Sequence, residues 1–282
     1  PILVNELSDE ARESYLINRD QYPHFVDTAV NDPENPWVWK DVKELRKYLK
    51  NNLPEFTKKT KKLFNIDLSA GELDLLVGGP PCQGYSGIGH RRSYAVEKKE
   101  IPSNHLFQDM IFTISALKPK MFLFENVRGI LSARWEEESK KGSIWLDIRN
   151  EFKAHFDDDY YMGWHLVRAS EYGVPQNRPR VLLVGLRKNL GWSAKSANLD
   201  NEKLLFNCND HRAGGLLPQP QENPPSLEDL LGDLIDPDYT PGQEATNQYK
   251  HPAKKSNIKG KPSAQQTLRL QKDKKSSAKV NH

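Results

Sequence analysis

The sequence predicts an α/β protein with an open, doubly wound sheet. Two observations carry this. Short apolar runs, LDLLV at 73–77 and MFLF at 121–124, stop abruptly at glycine, proline or charged residues. Runs of that length with such boundaries read as buried strands. Between them, and again after 143, apolar residues recur at helical spacing, so strands and helices alternate along the chain.

Pro1 to Val4 read as the end of a strand, followed at once by Asn5 and Glu6. Ser8 is placed to cap a helix over 9–19. An acidic residue at the end of the second strand of a nucleotide-binding α/β unit commonly bonds ribose hydroxyls, which makes Glu6 a candidate ligand. Residues 20–60 are polar, with Trp37 and Trp39 expected in packing and a Lys-rich helix expected near 41–51.

The stretch 73–86, LDLLVGGPPCQGYS, organises the rest. Leu73, Leu75, Leu76 and Val77 are expected in a buried strand. Pro80 and Pro81 fix the backbone ahead of Cys82, and Gly84 leaves room for close approach by a ligand. A thiol on such a turn, at the C-terminal end of a strand, sits where open α/β sheets bind ligands. The next stretch, GIGHRRSYAVEKKEIPSN at 87–104, is longer than an ordinary connection and suits a lid, with Arg91 and Arg92 as phosphate contacts.

A helix is expected over 105–118, with Leu106, Phe107, Met110, Ile111, Ile114 and Leu117 as a core stripe. Glu125 and Asn126 end the MFLF strand, so Cys82 and Glu125 are expected on one sheet edge. A helix near 143–156 and a strand near 163–168 continue the alternation. QNRPRVLLVG then sets Arg178 and Arg180 at the head of a strand, where residues two apart face one side. Two arginines so placed suit a phosphate or a carbonyl-rich ligand. Past 190, prolines break up long elements, and one short helix is expected over 225–234, capped by Ser226. Positions 250–282 hold ten Lys or Arg against Asp273 alone, a solvated run or a phosphate-contacting one.

The totals bound the class. The chain has 282 residues, 37% hydrophobic and 28% charged, with a net charge of +3, which suits one large domain or somewhat more. No apolar run approaches the roughly 20 residues of a membrane helix. Cys82 and Cys208 lack metal or disulfide spacing, so no metal is expected and a reduced, cytoplasmic setting fits.

GGPPCQGYS at 78–86, FLFENVRG at 122–129 and YGVPQNRPRVLLVG at 172–185, in that order, resemble core motifs of the DNA (cytosine-5) methyltransferase family. The resemblance is full over 1–190 and thin over 191–282. It implies a Rossmann-like sheet of S-adenosylmethionine-dependent methyltransferase type over 1–190, then the start of a smaller target-recognition region. By the same resemblance the first strand and its glycine-rich turn are expected ahead of Pro1, and a last Asn-containing motif beyond His282.

Cytosine C5 is too weak a nucleophile to accept a methyl group directly. A thiolate adding to C6 makes C5 enamine-like, and cysteine suits that addition. The resemblance assigns it to Cys82. It gives Glu125 protonation of N3 and contact with the exocyclic amino group, and Arg180 the base's O2. Arg178 would support the cysteine loop or the backbone phosphate. Pro80, Gln83, Ser86 and Asn126 resemble positions that contact base, cofactor or phosphate. S-adenosylmethionine would meet Glu6, Leu7, Pro80, Leu106 and an acidic position matched by Asp67, with Asn65 as the alternative.

The implied substrate is double-stranded DNA with the target nucleotide flipped out. A complementing subunit or C-terminal segment and a cognate restriction endonuclease are implied partners. The implied place is the bacterial cytoplasm, at the nucleoid and not at a membrane. A tRNA substrate within the same family and a non-catalytic nucleic-acid-binding subunit stay open. The lack of a Cys-Phe-Thr signature weighs against the first, and intact Cys82, Glu125 and Arg180 against the second. A cysteine hydrolase would need His90 or His105 as base, and neither lies in a hydrolase motif.

Overall fold

The structure is a computed structural model that describes residues 1–19, 21–25, 28–81, 105–136, 138–190, 199–206, 212–220 and 226. The expected helix 225–234, the basic run 250–282 and the stretch 82–104 lie outside the described residues. The chain divides into two units, Pro1–Pro225 and Ser226–His282. Past 190, Asn201–Phe206 and the turn at 213–217 pack on the sheet.

The class is α/β, as expected. Strands β1 (Val4–Asn5) and β2 (Val38–Trp39) form a parallel pair. The main sheet has four strands, β3 (Leu75–Gly78), β4 (Met121–Val127), β5 (Tyr160–Arg168) and β6 (Pro179–Arg187), in the order β3-β4-β6-β5. β3 and β4 are parallel and joined through helix α3 (Phe107–Leu117), the β–α–β unit of a Rossmann-like sheet. β6 runs antiparallel to both of its neighbours, so the sheet is mixed. The remaining helices are α1 (Asp9–Ile17), α2 (Val42–Phe64), α4 (Ser143–Phe156) and α5 (Asn201–Phe206).

Alternation along β4 decides which side is core. Phe122 and Phe124 are fully buried against Phe152, Trp145 and Tyr160 beneath α3 and α4. Met121 and Leu123 face the other side, which is covered by Leu217, Ala213 and Tyr172. Close packing on the first face needs Gly185 opposite Phe122, because a Cβ there would lie 2.1 Å from the phenyl ring. A separate core joins Trp37, Val38, Trp39, Leu45, Leu49 and Phe56. Both tryptophans pack as expected.

Two expectations, both about strands, are corrected. Leu75 and Val77 are not buried but 49% and 61% exposed, because among the described residues β3 ends the sheet and the cover over Met121 and Leu123 does not extend to them. The Lys-rich helix expected near 41–51 is the first segment of α2, and past a kink at Asn52 a second helical segment continues to Phe64. Non-helical backbone at Asn52 absorbs the constraint of Pro54, and left-handed Asn65 ends the helix. β5 begins at Tyr160 rather than 163, paired residue for residue with β6. Among the described residues no helix is long and apolar enough to cross a membrane.

Candidate active site

α3 precedes β4 and runs back against it, so the first turn of α3 and the last residues of β4 share one end of the sheet. Residues 79–81 leave β3 at that same end, since β3 and β4 are parallel. Glu125 projects there from β4, and Arg180 enters from β6. Val127 pairs with Arg180 in the antiparallel ladder, so Glu125 lies two positions away and on the same face. Arg180 Nε stands 2.6 Å from Glu125 Oε1, an ion pair with both side chains partly screened from water. Arg180 also donates from Nη1 to the Pro179 carbonyl at 2.8 Å.

The other carboxylate oxygen of Glu125 lies over Gly79. A Cβ on Gly79 would come within 3.1 Å of Oε2. The turn that leads into Cys82 is thus open enough for the carboxyl to lean across it. Asn126 makes the second tie. Its Nδ2 donates to the Pro80 carbonyl at 3.1 Å, and its Oδ1 accepts from the Val127 amide at 2.9 Å. Asn126, expected at the substrate, is 3% exposed and has both polar ends engaged inside the protein. These bonds hold the proline turn against β4. Pro80 correspondingly presents its carbonyl inward.

Arg178 is exposed just ahead of β6, with its backbone amide bonded to Gln176 and its carbonyl to Ala169. Its guanidinium has no partner among the described residues. Cys82, Gln83 and Ser86, with Arg91 and Arg92, lie outside the described residues.

The cofactor candidates separate. Glu6 follows β1, and its Oε1 accepts from the Ser8 amide at 2.9 Å. Leu7 is 65% exposed beside it, and Leu106 is half-buried at the head of α3. Asp67 is used up elsewhere. Its carboxylate accepts from Lys61 Nζ at 2.8 Å, Ser69 at 3.0 Å and Ala70 at 3.3 Å, closing the turn between α2 and β3. The Lys61 ammonium and the Ser69 hydroxyl hold that carboxyl far below the usual carboxylate range. Asp67 therefore does not join Glu6, and its alternative Asn65 is the C-cap of α2. Asp41 follows β2 as Glu6 follows β1. Asn5 pairs with Trp39, so the acids after the two strands are neighbours. Asp41 caps α2 by accepting from the Lys43 amide at 2.8 Å. The sequence repeats the pattern of Val4, Glu6 and α1 in Val38–Trp39, Asp41 and α2, but only the pairing of β1 with β2 sets the two acids side by side. No cluster among the described residues is suited to a metal ion.

The family profile for C-5 cytosine-specific DNA methylase matches residues 35–282. The chain is 31% identical over 189 residues to the Type II methyltransferase M.Bpa9945I of Bacillus paralicheniformis, covering 64% of this chain and 39% of that protein. It is 34% identical over 157 residues to the Type II methyltransferase M.DdeI of Desulfomicrobium norvegicum, covering 54% of this chain and 35% of that protein. The chain thus spans under two fifths of the length of these curated relatives. A solved E. coli chain, encoded within a prophage and assigned as a DNA modification methyltransferase, overlaps 81% of this chain and 47% of its own. Its TM-score is 0.47 at 22% identity. With the profile covering most of its length, the chain belongs to the C-5 cytosine-specific DNA methylase family.

Proposed function

We propose that the protein to which this chain belongs transfers a methyl group from S-adenosylmethionine to C5 of a cytosine in double-stranded DNA. The observation that carries the reading is the convergence of Glu125, Arg180 and the proline turn that leads into Cys82 at one end of the sheet. A buried structural ion pair would not need an adjoining turn held by Asn126 and kept free of a side chain at Gly79.

The bound cofactor supplies an electrophilic methyl group. Glu6, Asp41 and Leu7 fit its adenosine: two carboxylates at adjacent strand ends, beside an exposed apolar side chain, match ribose hydroxyls and a purine face. The target base leaves the stack at a cost of about a few kcal/mol, offset by contacts in the site. Cys82 adds through sulfur to C6. Glu125 donates a proton to N3 as charge builds on the ring, and Arg180 holds O2 and orients Glu125. Gln83 and Ser86 contact the flipped nucleotide or its phosphate, and Arg178 takes the flanking phosphate. Once C5 carries its new substituent, loss of the C5 proton and elimination return Cys82 as thiolate. On this reading the protein acts in a bacterial restriction-modification system. A cognate endonuclease and a complementing segment or subunit are its partners, and the nucleoid is its place.

The test uses the full-length protein. DNA incubated with it and the cofactor should contain 5-methylcytosine by mass spectrometry. Duplex with 5-fluorocytosine in the target site should trap a denaturant-stable adduct through Cys82. Undiminished transfer by Cys82→Ala, or methylation at an exocyclic nitrogen instead, would overturn the reading.

A further inference from the structure

We propose that the N-terminal half of α2 docks the phosphate backbone of duplex DNA beside the target site. The identity of the polyanion rests on the methyltransferase reading; the surface itself does not. α2 holds eight Lys or Arg against Glu44 and Glu55, a surplus of six, whereas the whole chain carries +3. The charge is therefore concentrated, not an average of the composition.

Lys43, Lys47 and Lys50 recur at spacings of four and three, which puts them on one face of the segment ahead of the kink at Asn52. The row stands opposite the face that buries Leu45 and Leu49. A helix face that only meets water gains from mixed signs, because opposite charges four apart stabilise it and like charges destabilise it. This face has like charges in succession. Towards the C-terminal end the charges are answered, Lys58 by Glu55 at 4.0 Å and Lys61 by Asp67 at 2.8 Å. Lys43, Lys47 and Lys50 are exposed, and their ammonium groups bond nothing among the described residues. Glu44 flanks them and is the acid nearest in sequence on the helix, while Asp41 Oδ1 accepts from the Lys43 backbone amide and not from an ammonium group of the row.

The unanswered half is the half nearest the site. Arg46 Nη1 stands 2.9 Å from Asp109 Oδ1, tying this part of α2 to the first turn of α3. That turn lies at the sheet end where Glu125 meets Arg180. From Lys43 to Lys50 the helix advances about 10 Å, over which a duplex presents several phosphates. Lysines on flexible stems suit such contacts, which position a duplex without reading its sequence.

The experiment measures binding of the 282-residue chain to target-free duplex by fluorescence anisotropy across a salt series. The K43Q/K47Q/K50Q variant should lower the slope of log K against log salt by about 2–3, since each lost phosphate contact contributes roughly 0.9. Between 50 and 200 mM salt that is an affinity loss about 40-fold smaller than for the unaltered chain, by the same relation. The change should be equal for every duplex sequence. K58Q/K62Q, at the far end, should leave the slope within about half a unit, less than one contact. Should the glutamines unfold the chain, K43R/K47R/K50R keeps the charge and should keep the slope. An unchanged slope in a folded glutamine variant overturns the proposal. So does retained DNA binding with lost binding to phosphatidylserine vesicles, which would assign the row to a membrane. Formation of 5-methylcytosine by the full-length protein is read separately. Normal transfer with no slope change sinks this proposal alone.

Discussion

Replacing Asn126 with alanine tests the tie between β4 and the proline turn. The side chain is 3% exposed and makes two bonds, Nδ2 to the Pro80 carbonyl at 3.1 Å and Oδ1 from the Val127 amide at 2.9 Å. Leaving a buried polar group unpaired costs about 1–3 kcal/mol. Pro80 is half-buried, so water can reach its carbonyl, and the low half of that range applies. A loss of about 1.5 kcal/mol, divided by a urea slope of about 1–3 kcal/mol per M, lowers the unfolding midpoint by about 1 M. Asn126→Asp removes the donor and sets a carboxylate oxygen against a carbonyl oxygen, so it should be at least as damaging. In the full-length protein, misplacement of the turn by about 1 Å should lower kcat by about 100-fold while cofactor KM holds. Urea unfolding followed by circular dichroism and single-turnover methyl transfer measure the two effects. A midpoint within 0.2 M of the unaltered protein, together with kcat within twofold, would refute the tie.

Gly79→Ala should separate stability from activity: the atom that must yield is the tip of Glu125, so the urea midpoint should hold while transfer falls at least tenfold. Gly185→Ala should destabilise by about 1–3 kcal/mol through overpacking against Phe122. Calorimetry should show part of that loss recovered in the double variant with Phe122→Leu. Arg180→Gln should leave the fold intact, because the pair is only partly buried, and should abolish transfer with cofactor binding unchanged by calorimetry. Tyr48 and Tyr160 are pushed up to about 12 by burial. Both should keep their protons through pH 11 in an ultraviolet difference titration. Their folded-state values exceed the ordinary 10.0, so the stability they contribute is complete below that value and lost as pH rises through about 12.

Local signals carried much of the architecture. The α4 boundaries, Ser143 to Phe156, follow from apolar spacing, and Glu125 is visible as the acid that ends an apolar run. What escaped depends on partners distant in sequence. Leu75 and Val77 look buried because they are apolar, but burial is set by what lies against the face, and among the described residues β3 ends the sheet. The hold of Asn126 on the turn emerges only when Pro80, 46 residues earlier, is seen to take its amide. Asp67 has the right chemistry for a cofactor contact, yet Ser69 and Lys61 within its own turn consume it. Asp41 became a candidate only when β1 paired with β2.

The flank formed by Leu75 and Val77 has a practical meaning for anyone handling this polypeptide alone. Greasy side chains sit on a strand whose outer row of amides and carbonyls meets no neighbour among the described residues. Such a margin is adhesive and templates pairing with another copy. Sedimentation should show mass rising with concentration, and one lysine in place of Leu75 should quench it.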